Sequence, residues 1–527
     1  MTPWNRCSVL ALFFSAGLAN ASPITIVSDS ARSQLRLEKS ASPESAARAF
    51  LRASAGEMGL RGDLSDLQTE SVTETPAGHV VRFQQVVQGL PVDRSDLVVS
   101  LGKDLLPLTY VNDTVPVSQT AGLNEKAASF RVAEEEALRI AYESLSLTAS
   151  PVKQEVVQKV VMQNGESRPV YQIRLSAPLN RRYAWEVVVD AGSGKILRSR
   201  DLILNQRRGR AGVTVNVFDP NPTIKSGFAL NGTAGYADAN NADSAFFQSM
   251  MTPVSLDNLS VRADGKIDLA GPNVVIADSE QPKNPDCSFR GSSFMPRRSD
   301  PCFDAVNAYY FIDKIMRYLN GTLGFNARPI KYAGGVRVDP HGLNGEDNSH
   351  YSPFSDELAF GEGGIDDAQD HDVIIHELGH AIHNWVTKGH ISQVEGLSEG
   401  SGDYWAASYD RQFMRPGHVA YNWTFSFDGH NEFWPGRSVA VASKYPQGAQ
   451  GEIHGAGQLW ATVCMEIYDA IGKQKADKLF WSALSSLNER SSQLDAAKAY
   501  VVAAKQLFPA DLNTVIQKFT ARGYPVR

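Results

Sequence analysis

The chain has 527 residues, 43% hydrophobic and 21% charged, with a formal net charge of −7. That length is too great for one hydrophobic core, so three or more domains are expected, and the composition is that of globular rather than disordered protein. The acidic balance argues against a nucleic-acid-binding footprint, so no nucleic-acid partner is expected.

Residues 1–21 read as a signal peptide. Arg6 precedes an apolar run from Ser8 to Leu18, and Ala19, Asn20 and Ala21 form a small-residue cleavage site. Cys7 falls inside the segment, away from any lipid-attachment position. The run is too short to span a membrane, and no later stretch offers about 20 uncharged apolar residues. A secreted protein, extracellular or periplasmic, with no membrane span is expected.

Residues 22–120 read as a first small α+β domain. Pro43 to Gly59 has helical spacing, with Ala46, Phe50, Leu51 and Met58 on one side. Val80 to Gly89 alternates as a strand does, and Leu97 to Leu101 follows as a second strand. Residues 121–205 read as a second α+β domain, with a helix at Ala133–Leu145, strands at Val170–Ser176 and Tyr183–Asp190, and a turn at Gly192–Gly194. Gln206 to Gly212 is a charged, glycine-containing linker, where proteolytic processing is expected.

Residues 213–527 form the remaining region. Its first half is rich in Gly, Asn, Pro and Asp and reads as strands and loops, with one helix at Cys302–Leu319. Its second half reads as helices at 396–410, 455–472, 474–488, 491–507 and 510–521. Cys287 and Cys302 bracket a loop and are candidates for a disulfide in an oxidising compartment, two free thiols being the other reading. Cys464 sits among apolar residues and reads as a buried small side chain.

Between those halves lies the most informative motif. His376, Glu377 and His380 spell H-E-x-x-H inside a helical pattern from Asp372 to Trp385. Residues four apart on a helix share a face, so the two imidazoles can ligate one metal ion, with Glu377 beside them to handle a proton. A catalytic zinc needs a third protein ligand and an open position. Glu399 lies far enough after His380 for the helix to end and a second helix to return, and Asp403 shares its face. Asp403 is expected to accept the free N–H of a ligating histidine, His376, a solvated carboxylate being the bland alternative. His454, flanked by glycines at the start of an amphipathic helix, could hydrogen-bond a developing oxyanion. Arg437 could hold a substrate carbonyl; a plain surface arginine is the competing reading. A metal site in a cleft between the strand-rich and helical halves is the expectation.

These residues together resemble the thermolysin/fungalysin superfamily of zinc metallopeptidases. The family pattern of H-E-x-x-H, then E-x-x-x-D, then a catalytic histidine maps onto His376, Glu377, His380, Glu399, Asp403 and His454. Asp347 to Pro353, followed by Leu358 to Gly361, is similar to the family's edge strand, which implies that Asn348 and Ser349 bind substrate backbone by strand addition. Arg437 lies where such enzymes carry a substrate-binding arginine. Gly78 to Val92 resembles the fungalysin/thermolysin propeptide motif, and Ala184 to Leu197 resembles the second, PepSY-like propeptide domain. The resemblance implies an α+β multidomain chain: two small propeptide domains, then a thermolysin-like catalytic region with a strand-rich N-lobe, a helical C-lobe and Zn2+ between them. It also implies a propeptide acting as intramolecular inhibitor and chaperone, protein or peptide substrates, a monomer, and a large apolar residue after the scissile bond.

The sequence departs from the pattern in three places. Residues 381–398 contain no counterpart of the tyrosine that steadies the oxyanion in thermolysin, and His390 is the nearest candidate by spacing. There is no clear copy of the multi-carboxylate Ca2+ sites; Asp366, Asp367, Asp370 and Asp372 are acidic, but carboxylates near a helix start are favoured by capping alone. The stretch from His380 to Glu399 matches metallo-aminopeptidases, although their upstream Gly-x-Met-Glu-Asn segment is absent. The expected activity is endopeptidase hydrolysis by zinc-activated water with Glu377 as general base. A zinc aminopeptidase and a non-catalytic zinc-stabilised binding protein are the alternatives.

Overall fold

The computed structural model describes residues 23–35, 41–120, 130–144, 153–163, 166–176, 184–201, 212–230, 243–262, 264–431 and 433–526. The signal-peptide segment, and the processing linker except for Gly212, lie outside the described residues.

The first two units share one antiparallel-rich sheet. Its strands are β1 (Thr25–Ile26), β2 (Leu67–Thr75), β3 (Gly78–Val87), β4 (Leu90–Gly102), β5 (Pro107–Asn112), β6 (Lys153–Gln163), β7 (Glu166–Ser176), β8 (Ala184–Asp190) and β9 (Ile196–Asp201). The order is β1-β5-β4-β6-β7-β8-β9, with β3 also on β4 and β2 on β3. Among the described residues one strand pairing, the parallel Val92↔Val160 of β4 with β6, joins the two halves, and Arg198 of β9 donates to Asp93 of β4 across the same seam. Each half has a helix-covered core of its own, with a small cluster of Val87, Val92 and Val160 between them. Helix α1 (Pro43–Met58) buries Ala46, Ala47, Phe50 and Leu51 against Val81, Phe83, Leu97 and Val99. Helix α2 (Glu134–Ser144) buries Ala137 and Ala141 against Tyr171, Ile173, Val187 and Val189.

Local sequence sets the ends of α1. Ser42 and Ser45 form a reciprocal capping box, Pro43 fits the first turn, and Gly59 ends the helix at φ 68°. Strands β2 and β6 were not expected from periodicity. In β2 the chain reads Gln, Thr, Glu and Ser between two buried ends, so its solvated positions outnumber its apolar ones. In β6 the valines come in adjacent pairs, which hides the alternation.

From Gly212 onward the first half is mostly strands and loops, with two short helices, Pro222–Ser226 and Ala245–Met250, that were not expected. Four short strands, β10 (Val274–Ile276), β11 (Val336–Asp339), β12 (Ser349–Ser352) and β13 (Glu357–Phe360), form a sheet in the order β10-β11-β13-β12. Strand β12 pairs only with β13, antiparallel, and stands at the edge. Cys287 and Cys302 are joined by a disulfide, while Cys464 is free and buried. Helix α3 (Cys302–Arg317) follows, then α4 (His371–Val386), α5 (Leu397–Asp410), α6 (Ile453–Ile471), α7 (Lys473–Leu484), α8 (Gln493–Leu507) and α9 (Leu512–Ala521). All 16 residues of α4 are buried, as befits a helix enclosed by other elements. Among the described residues no helix is long and apolar enough to cross a membrane.

The first unit docks on the helical half. Buried Arg82 of β3 donates to the carbonyls of Ser485 and Leu487 at 3.0 and 2.7 Å. Asn488 donates to Asp113 at 2.6 Å, and the Ile24 amide to Asp495 at 2.8 Å. Ile24, Val80, Val98 and Val111 join the same apolar cluster as the helices of the second half.

Candidate metal centre

Helix α4 starts where Asp370 caps it by accepting the Asp372 amide. One turn further in, His376 and His380 project from the same face, their rings 4.7 Å apart and perpendicular. Helix α5 brings Glu399 opposite them. Its carboxylate oxygens lie 3.4 Å from His376 Nε2 and 3.6 Å from His380 Nε2. The ligand atoms of His376, Glu377 and His380 all fall within 4.8 Å of one another, a spacing that could hold a metal ion.

The outer nitrogens of both imidazoles face protein oxygens. His376 Nδ1 lies 3.0 Å from Asp403 Oδ1, one turn beyond Glu399 on α5. His380 Nδ1 lies 2.7 Å from the hydroxyl of Ser398. Each ring therefore keeps Nε2 turned inward. Burial pushes the His376 imidazole down, but the Asp403 and Glu399 carboxylates overcome this and raise it to about 9. Burial holds His380 below its ordinary value. Burial pushes the Glu399 carboxyl up, yet His380, His376 and Arg437 together hold it well below the usual carboxylate range.

The approach of α4, α5 and α6 depends on glycine. A Cβ on Gly402 would meet His376 Nδ1 at 2.5 Å, and one on Gly400 would meet the Gly457 carbonyl at 2.2 Å. Close backbone contact at these positions is what lets Glu399 reach the histidines.

A cavity of about 730 Å³ opens over this floor, lined by Asn348, Ser349, His376, Glu377, Arg437 and His454 among others. A second space of about 260 Å³ adjoins it and adds His380 and Glu399. Asn348 and Ser349 stand at the start of the edge strand β12 on the cavity wall. His454 Nε2 is 3.3 Å from Glu399, and its Nδ1 is 2.5 Å from Glu452. Arg437 donates to Asp403 at 2.9 Å and to Glu399 at 3.3 Å while facing the cavity.

His390 is not brought into the cleft. It lies after the turn at Gly389, where φ is 98°, and its Nε2 sits 3.1 Å from Glu70 on β2. Burial lowers the His390 imidazole, but Glu70 and Asp96 raise it above its ordinary value. A carboxylate of the first unit thus holds the ring that spacing offered as an oxyanion donor. The acidic run also divides. Asp370 caps α4, Asp372 joins His371 and Asp410 in a buried cluster, and Asp367 lines the cleft.

Two partners escaped sequence reasoning. Ser398 adjoins Glu399, and Glu452 precedes His454 by two residues. Glu452 is also the acceptor of the His454 and Gly455 amides at the start of α6, and an acidic residue just before a helix was the available signal.

Comparison with known proteins bears on the first two units. Residues 65–104 match the family described as Fungalysin/Thermolysin Propeptide Motif, and residues 131–200 match Peptidase propeptide and YPEB domain. No curated protein matches the chain. Among solved structures, the Bacillus megaterium YpeB C-terminal domain is similar at 10% identity, covering 32% of this chain and 68% of that one, with a TM-score of 0.20. Two propeptide segments in tandem are consistent with a peptidase precursor.

Proposed function

We propose that the chain is the precursor of a secreted zinc-dependent endopeptidase, residues 213–527 being its catalytic domain. One observation carries this reading: two imidazole Nε2 atoms from α4 and the Glu399 carboxylate from α5 converge on one point, with Glu377 beside them on the wall of a cleft. Two histidines and one carboxylate, with Asp403 and Ser398 at the outer nitrogens, are the donor set that suits Zn2+ with an open position. His376, His380 and Glu399 would hold the ion. When bound, zinc supplies a Lewis acid that polarises the scissile carbonyl and makes a water acidic enough to react near neutral pH.

The remaining chemistry falls to the protein. Asn348 and Ser349, at the start of a strand on the edge of its sheet, hold an extended peptide along the cleft. Glu377 accepts the proton of the attacking water and delivers it to the leaving amine. His454, oriented by Glu452, donates a hydrogen bond to the oxygen on which charge develops. Arg437 fixes the Glu399 and Asp403 carboxylates and presents its guanidinium to the substrate. The propeptide acts as an intramolecular inhibitor, a reading supported by the polar contacts of Arg82, Asp113 and Ile24 of its first unit with the helical half.

The test is Glu377→Gln. Hydrolysis of casein should fall to background with zinc content unchanged, and a variant that cuts at the wild-type rate ends the assignment. N-terminally blocked peptides separate the endopeptidase from an aminopeptidase, which needs a free amine.

A further inference from the structure

The cleft also carries an acidic cluster. Carboxylate oxygens of Asp347, Asp367 and Asp428 lie within 4.8 Å of one another. All three line the same cavity as His376 and Glu377. Asp367 is only 3% exposed, and Asp428 8%. The Ser349 hydroxyl donates to Asp367 Oδ2. No described residue hydrogen-bonds Asp367 Oδ1, and the residue points into the cavity it lines. A carboxylate so deeply buried, with one oxygen turned to open space, lacks a partner that a ligand would provide.

Among the described residues that line the cavity the one lysine or arginine is Arg437, and it is committed to Asp403 and Glu399. Burial pushes the Asp367 carboxyl well up, and Asp347 and Glu377 push it further. Burial raises Asp347 as well. Three carboxylates and the nearby Glu377 therefore make a field that a cation would relieve. Val373 and Phe425 line the same cavity and offer apolar surface to an aliphatic stem. A calcium ion fits less well, because it takes about six to eight oxygens and the cluster brings three carboxylates.

We propose that Asp347, Asp367 and Asp428 bind a positively charged group of the substrate peptide, so that the cleft selects cationic substrates rather than those with a large apolar residue after the cut. The inference rests on the peptidase reading and names its substrate class. The shared chemistry is an ammonium or guanidinium, and it has two sources: a lysine or arginine side chain near the scissile bond, or a free amino terminus.

Two measurements on the zinc-loaded protein made from the full chain test it. The first is cleavage of fluorogenic peptides differing only in Lys, Arg, Leu or Glu beside the scissile bond, each with blocked and free amino termini. The second is binding of the Lys and Leu peptides to Glu377→Gln protein, with and without Asp367→Asn or the more exposed Asp347→Asn. Blocked Lys and Arg peptides should exceed Leu by on the order of tenfold to a hundredfold in kcat/KM, and Asp367→Asn should erase the difference. Preference for free over blocked termini, lost in the same variants, identifies the terminal amine as the source and equally supports the proposal. Leu peptides favoured, with both Asp variants leaving the profile unchanged, overturn it. So does loss of a tightly bound calcium from Asp367→Asn with selectivity intact. If no peptide is cut but the Lys peptide still binds through Asp367, the acidic subsite stands and the hydrolase reading falls.

Discussion

Asp403 touches two groups that matter at once: His376 Nδ1 at 3.0 Å and Arg437 Nη1 at 2.9 Å. Replacing it by asparagine keeps the shape but removes the charge that favours a correctly oriented imidazole. Asp403→Asn should weaken zinc binding by about 10- to 100-fold, read by competition in zinc buffers. Equal affinities would show that the carboxylate does not support the ligand. In the proposed mechanism His454 serves the reaction rather than the metal. His454→Ala should lower kcat by roughly 10²–10³ with little change in KM. Glu452→Gln, which keeps an amide-accepting cap but loses the charge 2.5 Å from Nδ1, should fall between that variant and wild type. The spacing of His376, Glu377, His380, Glu399 and Asp403 was legible because helix geometry converts offsets of four into a shared face. Ser398 and Glu452 were not, because single polar residues beside a ligand have no periodic signature. His390 misled for a related reason. Distance along the chain located it, but the turn at Gly389 aims its ring at Glu70, a residue of another unit.

Among the elements, α4, α5 and α6 are brought together at glycines, and the proposed ligand set depends on that approach. Gly379 meets Gly402, and Gly400 meets Gly457, at distances where any Cβ would clash with backbone. A methyl at position 402 would strike the His376 ring at Nδ1, Cε1 and Cγ, at 2.5, 2.7 and 2.8 Å. Gly402→Ala should therefore cost about 1–3 kcal/mol of stability and weaken zinc binding in the same variant. Thermal unfolding of the metal-free protein and a zinc titration read the two effects. Gly56→Ala, inside α1 with nothing within 4 Å, is the control and should stabilise by roughly 0.5–1 kcal/mol. If both substitutions behave alike, close packing is not what positions the ligands. The enclosed helix α4 and the capped α1 could be read from pattern and caps, whereas β2 and β6 could not, since polar faces and paired valines mask a period of two.

At the scale of the whole molecule, the propeptide-side sheet is held to the helical half by groups that titrate. Glu70 and His390 face each other at 3.1 Å, with Arg82 and Asp96 beside them and Lys159 near Glu70. No motif announces this interface, because its partners are scattered through the chain and only folding collects them. Its pH dependence follows from the shifts. His390 is raised above 6.5 in the docked state, burial being outweighed by Glu70 and Asp96, so its contribution is complete below 6.5 and is lost as pH rises through its folded value. Glu70 is lowered from 4.5, burial being outweighed by His390, so its contribution is complete above 4.5 and is lost as pH falls through its folded value. Burial raises Asp96, which therefore favours docking when protonated and also fades as pH rises. The His390–Glu70 pair should thus hold the precursor together best between about pH 4.5 and 6.5 and release it on the alkaline side. Melting temperatures of wild-type and His390→Gln precursor, taken from about pH 5 to about pH 9, read this directly. The wild-type advantage should be largest near pH 6 and shrink toward pH 9, and susceptibility to a trace protease should rise in parallel as the sheet loosens. An advantage independent of pH would mean that the imidazole contributes by packing and not by its charge.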